Sequence, residues 1–351
     1  MKEVGLRSSF TLALQTLDAT ALEAMNRRNM KVNDWQDLVE WLTAEGLDLY
    51  AELIWGSPGE TVETFLRGYD ELSEKVSRIA VYPMMLLPNT DFSERRSEFD
   101  IVALRGDSDD FEYILSHSTM SFDDDLRMQT FMFWARVIAE NAVLRHIWRP
   151  LRQFGGMTQT KALDSLAQWI AESSSPAAKF VRIKCLQVKG GGAPAYAEVI
   201  SFFFLTQDGE NLLDDWWHGA VVPQLSAESE PFLSEVLRFD LLTCPVPGAD
   251  AGATFAEGTV KTPPPLQDVE GEQFYVNGPI RFSYDIPVAL ESLRRGDTKL
   301  PAPRKADLTI YYREGALNAI MSTNHEEIVH FMGETDLARV LVPRGGAQEV
   351  G

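Results

Sequence analysis

Apolar and polar positions in the first part of the chain fall into blocks that switch between two periods. Phe10 to Leu14 is a short apolar run closed by Gln15-Thr16. Leu49 to Trp55 is a second, broken by Gly56-Ser57-Pro58-Gly59, and Ile79 to Leu87 is a third. Between them the apolar positions recur at helical spacing. Asp18 can cap a helix over about residues 19–28 that aligns Leu22 and Met25. Asp34 can cap another, with Trp35, Leu38, Val39 and Leu42 on one face and Gly46 at its end. Glu60 opens a helix that reaches about residue 75. Short apolar strands alternating with such helices predict parallel β-α units, whose ligand sites lie at the carboxyl ends of the strands. Gln15, Gly56 and the stretch from Pro83 to Leu87 fall at those ends.

The pattern changes further along. Residues 93–120 (SERRSEFD, RGDSDDFEY) read as a charged surface excursion. Ser121 and Asp124 form a capping-box pair for a helix over about 122–146, on which Phe131, Trp134 and Ile138 make a core stripe. A helix over about 158–172 stops at Ser173-Ser174-Ser175-Pro176, and residues 177–243 read as mostly helical. The stretch 244–272 is rich in Pro, Gly and Ala and reads as a linker. Residues 273–351 predict a small α+β unit. In it Asn277-Gly278 signals a hairpin turn, followed by the helix PVALESLRR, the strand ADLTIYYR and the helix NHEEIVHFM. The expected segments are therefore 1–92, 93–155, 156–243, 244–272 and 273–351.

Composition narrows the function classes. The 351 residues leave room for two domains, and 45% hydrophobic residues can fill ordinary cores. A net charge of −20 argues against nucleic-acid backbone binding, which needs clustered Lys and Arg. No apolar run approaches the length of a bilayer crossing, and MKEVGLRSSF lacks the apolar stretch of a secretory signal. The expectation is a soluble cytoplasmic protein with neither nucleic-acid nor membrane partners. Cys185 and Cys244 stand in dissimilar contexts, which suits buried free thiols better than a disulfide.

Several local motifs carry little chemistry. His325 and His330 are five positions apart, about 140° around a helix, whereas zinc ligands of an HExxH helix sit four apart. Gly190-Gly191-Gly192 lacks the lysine and hydroxyl of a phosphate loop. Trp216-Trp217-His218 after Asp214-Asp215 reads as an amphipathic contact patch rather than a catalytic pair. No G-x-S-x-G elbow is present.

Three ordered segments carry a resemblance. LALQTLD with LEAMNRRN is similar to the fourth strand and helix of the cobalamin-associated type of radical S-adenosylmethionine (SAM) barrel. YAELIWGSPGET resembles the fifth strand of that barrel, and IAVYPMMLLPNT the sixth. DDDLRMQTFMFWARVIAE is similar to the helical region after the barrel. The resemblance covers about residues 1–155. It implies an α/β fold made of the last three strands of a radical SAM (β/α) barrel, followed by a mostly helical region and the small α+β unit.

The resemblance also implies SAM, a four-iron four-sulfur cluster and cobalamin as cofactors, with catalytic residues unassigned. In the family, the cluster cleaves SAM to a radical that activates the substrate, and methylcobalamin often supplies a methyl group. Residue by residue, Gln15 and Arg27 match the groups that hold the ribose and carboxylate of SAM. The planar guanidinium fork suits a carboxylate. A helix-surface role for Arg27, with Arg28 as the alternative, stays open. Ile54 and Gly56 match the apolar wall and the close backbone approach for adenine, although Gly56 also serves the turn alone. Tyr82 and Met85 match adenine-side or substrate-side positions, with core packing open for Met85.

The same comparison marks departures. The C-x-x-x-C-x-x-C loop, the glycine-rich motif and the cobalamin domain would all lie before Met1, and two cysteines cannot supply three thiolates. The expectation is the carboxyl-terminal part of a cobalamin-dependent radical SAM enzyme. It would take part in methyl transfer or related carbon-radical chemistry on a small-molecule substrate and be inactive alone. A non-catalytic binding or scaffold subunit that keeps a degenerate half-barrel is the alternative. Three parallel strands alone leave an exposed edge and an uncovered face, so a polypeptide carrying the other half is an expected partner, unless the reading frame is truncated.

Overall fold

A computed structural model describes residues 9–26, 37–39, 41–42, 48–76, 78–106, 110–189, 192, 194–247, 258–269 and 271–313. The fold is mixed α/β, and the chain divides into two compact units, Met1–Arg136 and Val137–Gly351.

The first unit is built on β1 (Ser9–Gln15), β2 (Asp48–Trp55) and β3 (Arg78–Pro83), parallel and in that order. Helix α1 (Ala19–Ala24) follows β1, capped by Asp18, whose Oδ1 accepts the backbone N–H of Thr20 and Ala21 at 2.8 and 2.9 Å. Helix α2 (Val62–Ser73) follows β2 and begins in a capping box formed by Thr61 and Thr64. Its Val62, Phe65, Tyr69 and Leu72 are buried, and the Phe65 ring meets Trp55 edge-on with centroids 5.4 Å apart. On that face of the sheet Leu12, Leu14, Leu53 and Trp55 are buried. Each such side chain contributes about 1.5–3 kcal/mol.

The opposite face differs. Register places Thr11 beside Tyr50, Ala13 beside Glu52, and Ile54 beside Tyr82. Thr11 and Ala13 are exposed, while Glu52, Ile54 and Tyr82 are half-buried. Parallel sheets ordinarily have both faces covered. Among the described residues, this one is sealed by helices on one side and left partly open on the other.

The stretch expected as an irregular excursion is in fact a second sheet. Strands β4 (Met85–Leu86), β5 (Val102–Arg105) and β6 (Glu112–Ser116) pair antiparallel in the order β4-β6-β5, with helix α3 (Asp91–Glu94) between β4 and β5. Its strands are too short and too charged to stand out as a period-2 pattern, and pairing supplies what the local pattern lacks. The third apolar run is accordingly split. It stays in the parallel sheet to Pro83 and joins the antiparallel one at Met85. Helix α4 (Phe122–Trp134) then starts at the expected Ser121–Asp124 box and passes into a π-helical stretch, Ala135–Glu140. Phe131, Trp134 and Ile138 are buried, as a core stripe requires.

The second unit is mainly helical through residue 242: α5 (Trp148–Gly155), α6 (Gln159–Glu172), α7 (Pro176–Lys189), α8 (Pro194–Leu205), α9 (Gln207–Trp216) and α10 (Glu230–Leu242). Trp216 and Trp217 are fully buried, their indole N–H groups donating to Ser165 Oγ and Ser234 Oγ. They are core, not the contact patch expected from their spacing. Strands β7 (Leu266–Val269), β8 (Glu272–Phe282) and β9 (Ala306–Arg313) form an antiparallel sheet, with helix α11 (Ile286–Arg294) between the last two. Asn277-Gly278 is not a hairpin turn. It sits inside the single strand β8, where the register with β9 shifts between Asn277 and Ile280. The Pro279 after it has no N–H for the ladder, so a bulge takes the place of regular pairing. Both cysteines are free, and Cys244 is buried. The residues His325 and His330 lie outside the described residues.

Candidate functional site

The carboxyl ends of β1, β2 and β3 lie side by side, and the first two depart from regular backbone there. Gln15 has φ +65° and Gly56 has φ +94°, both in the left-handed region. Met84, the first residue past β3, donates its N–H to the Trp55 carbonyl at 2.7 Å. Glutamine in this region is strained by about 1–3 kcal/mol, so the end of β1 is held by its surroundings. A side chain at Gly56 would incur similar strain. A Cβ built there would stand 3.6 Å from Met120 Sδ and 3.8 Å from Met84 Cβ.

The loop from Gly56 to Glu60 is gripped from both flanks. On the β1 side, Thr16 Oγ1 donates to Glu60 Oε1 at 2.5 Å and accepts the Asp18 N–H at 3.0 Å. Gly59 (φ +96°) is pressed against the Thr20 backbone, 3.1 Å from where its Cβ would be. On the β6 side, Thr119 Oγ1 accepts the Gly59 N–H at 3.0 Å. His117 and Met120 exchange backbone hydrogen bonds at 2.9 and 3.1 Å, which closes the turn carrying Thr119.

This loop region is polar, yet buried. Ser57, Glu60 and His117 are 0%, 1% and 7% exposed. Among the described residues, Ser57 Oγ, Glu60 Oε2, His117 Nε2 and Trp55 Nε1 have no hydrogen-bond partner. Unsatisfied buried polar groups cost about 1–3 kcal/mol each and are concentrated where a protein has work for them. Burial lifts the Glu60 carboxyl to about 8, the Thr16 bond working against the rise and Asp18 adding to it. Burial lowers His117 to about 4, with the Gly56 carbonyl opposing. At neutral pH both side chains are therefore uncharged, and the site presents hydrogen-bonding groups rather than ions.

The residues expected from the sequence are partly brought together. Gln15 and Gly56 stand at adjacent strand ends, and Ile54 and Tyr82 are register neighbours on the open face of the sheet, where Tyr82 Oη lies 3.3 Å from Tyr50 Oη. Met85 belongs to the other sheet, in an exposed row with Tyr113 and Leu104. Arg27 lies outside the described residues. Thr16, Ser57, Glu60 and His117 were not expected from the sequence. The one local clue was the acidic residue directly after Gly-Ser-Pro-Gly, since a carboxylate at a tight turn beside a helix start has a short list of uses. His117, alone in a polar stretch, offered none.

The fit to the implied cofactors is uneven. A glycine backbone beside the Met120 thioether and the Met84 Cβ, with half-buried Ile54 and Tyr82 nearby in the sheet, suits the flat, apolar adenosine end of SAM. A cluster fits poorly. Among the described residues no group of three His, Cys, Asp or Glu side chains is placed to hold a metal, and Cys244 is a buried thiol raised by burial.

Comparison with known proteins agrees with the chemical direction of the resemblance. No protein-family model matches the chain. The cobalamin-dependent radical SAM methyltransferase TokK of Streptomyces tokunonensis is 26% identical over 183 residues, 48% of this chain and 27% of that protein. A 2-(S-pantetheinyl)-carbapenam-3-carboxylate methyltransferase of Streptantibioticus cattleyicolor is 35% identical over 89 residues, 25% of this chain and 13% of that protein. The chain thus matches about a quarter or less of the length of each, and both relatives are distant methyltransferases, one of them cobalamin-dependent and radical SAM.

Proposed function

We propose that the Met1–Arg136 unit is the last part of a radical SAM barrel and supplies one side of a SAM cradle for a cobalamin-dependent methyltransferase. The observation that carries this reading is the convergence of Gln15, Gly56 and Met84 at three adjacent carboxyl ends of a parallel sheet. The resemblance to TokK over about half the chain supports it. SAM, when bound, supplies the transferable methyl and adenosyl groups. The chain's own residues have simpler tasks. The Gly56 backbone and Ile54 give adenosine a flat apolar seat, Gln15 offers an amide to a hydroxyl, and Arg27 a fork for a carboxylate.

Cluster ligation falls to polypeptide other than this sequence, because Cys185 and Cys244 are too few for three thiolates. The open face of β1-β2-β3 is where such a polypeptide would seat, and the substrate is a small molecule. The alternative reading, a binding or scaffold subunit with a degenerate half-barrel, shares this sheet but needs no SAM. Isothermal titration of the full chain with SAM separates them. The expected result is one site per chain, lost when Gly56→Val places a branched side chain where the backbone is left-handed. Absence of binding in the wild type favours the scaffold.

A further inference from the structure

The end of β1 folds back on itself. Its pairing with β2 slips between Ala13 and Gln15, and the Thr16 N–H then donates to the Leu14 carbonyl at 2.8 Å. A bond spanning two residues closes a γ-turn, and with Gln15 at φ +65° it is the rare, strained kind. Glutamine carries a Cβ that crowds this backbone, so the turn needs an external restraint. The next side chain supplies one. The Thr16 hydroxyl accepts the Asp18 N–H at 3.0 Å, and its single proton goes to Glu60 Oε1 at 2.5 Å. Both Thr16 and Glu60 are buried. Asp18 caps α1, and Glu60 stands directly before the Thr61 cap of α2. The γ-turn is therefore clamped between two helix starts, by a residue 44 positions further along the chain.

We infer that Thr16 and Glu60 are a positioning pair, whose hydrogen bond holds the γ-turn at Gln15 closed and so fixes the half-buried Gln15 amide at the strand ends. Burying a carboxyl group costs more than burying an apolar side chain of similar size. What the carboxyl adds is direction, because Oε1 is met by one hydroxyl at one angle, whereas apolar packing tolerates sliding. A turn that opened would rotate the Gln15 peptide and carry the amide away from the neighbouring Gly56 loop. Side chains that meet a ligand work only when a second set of contacts locks their own geometry. The inference rests on the SAM reading only for the identity of the ligand that Gln15 meets.

Three variants separate the pair from its neighbours. Thr16→Val keeps the shape and removes the hydroxyl, and Thr16→Ser restores it. Glu60→Met removes the acceptor and leaves the bond from Asp18 in place. Amide-resolved hydrogen–deuterium exchange reads the turn directly, through the protection factor of the residue-16 amide, without any ligand. The expected result is about tenfold lower protection in Thr16→Val and Glu60→Met, most of it regained in Thr16→Ser, with the α2 amides unchanged. Equal protection in Val and Ser, full protection in Met, or a loss that spreads equally through α2 would each overturn the inference. A second arm asks whether the pair acts through Gln15. Thr16→Val is expected to weaken SAM binding about tenfold in the wild-type background, and by less than about twofold in Gln15→Gly, where glycine takes the left-handed backbone without restraint. Equal losses in the two backgrounds would overturn the inference. If the wild type binds no SAM, the functional reading fails while the exchange data still decide whether the pair holds the turn.

Discussion

Replacing Glu60 with Gln is expected to flatten the pH dependence of stability of the Met1–Arg136 unit and to stabilise it at pH 8 by several kcal/mol relative to wild type. The Glu60 carboxyl titrates at about 8 in the folded chain, against 4.5 for an unperturbed glutamate. Between those values the folded state keeps a proton that the unfolded state has released. Wild-type stability from this group therefore falls as pH rises through the window, by about 1.4 kcal/mol per pH unit, and levels off above 8. His117 works in the opposite sense. Its folded value of about 4 lies below the ordinary 6.5, so its contribution is lost as pH falls through that range. The two slopes oppose each other between about 4.5 and 6.5, which leaves 6.5 to 8 as the interval in which Glu60 stands out. Gln keeps the acceptor for Thr16 Oγ1 and removes the titration. Urea unfolding at half-unit pH steps measures the difference. Parallel curves for wild type and Glu60→Gln from pH 5 to 8 would mean that Glu60 is ionised and solvated in solution.

Asp240→Ala is expected to destabilise the Val137–Gly351 unit by about 3–5 kcal/mol, and Asp240→Asn by less. Asp240, on α10, is fully buried. It accepts the backbone N–H groups of Arg145 at 3.2 Å, His146 at 2.9 Å and Ile147 at 2.9 Å. These are the amides that lead into α5, so one carboxylate from a distant helix serves as the cap that the helix lacks locally. The Arg145 side chain is nearly buried beside it, Nε 3.9 Å from Asp240 Oδ1, and its Nη2 donates to Thr243 Oγ1. Burial raises Asp240 to about 6, with Arg145 and the three amides holding it down. Alanine leaves three amides without their acceptor and a guanidinium without its counter-charge in the core. Asparagine keeps an acceptor and loses the charge. Guanidinium unfolding with far-ultraviolet circular dichroism checks the order wild type, Asn, Ala. A change below about 1 kcal/mol for alanine would show that the turn finds other partners.

The parts of the fold legible in the sequence are those set by local chemistry. The strand ending at Trp55 could be read because Gly-Ser-Pro-Gly interrupts the apolar run, and α6 because a serine run with Pro176 ends it. The sheet β4-β6-β5 could not, since EYILS becomes a strand only through neighbours on both sides. Asn277-Gly278 misled for a related reason. The dipeptide permits a tight turn, but the pairing of β8 with both β7 and β9 makes a continuous strand with a bulge the better use of the chain. At the site, Gln15 and Gly56 were visible as strand ends. Thr16 and Glu60, and Gly59 and Thr119, are joined across long separations in sequence, and their pairing exists only after the chain has folded.

The central claim is that SAM sits on the carboxyl ends of β1, β2 and β3. Peptide-resolved hydrogen–deuterium exchange of the full chain, with and without saturating SAM, tests it most directly. The account predicts slowed exchange in the peptides containing Gln15–Thr16, Gly56–Glu60 and Met84, with little change through α6 to α10. Protection confined to the Val137–Gly351 unit, or none anywhere at saturating SAM, would contradict it.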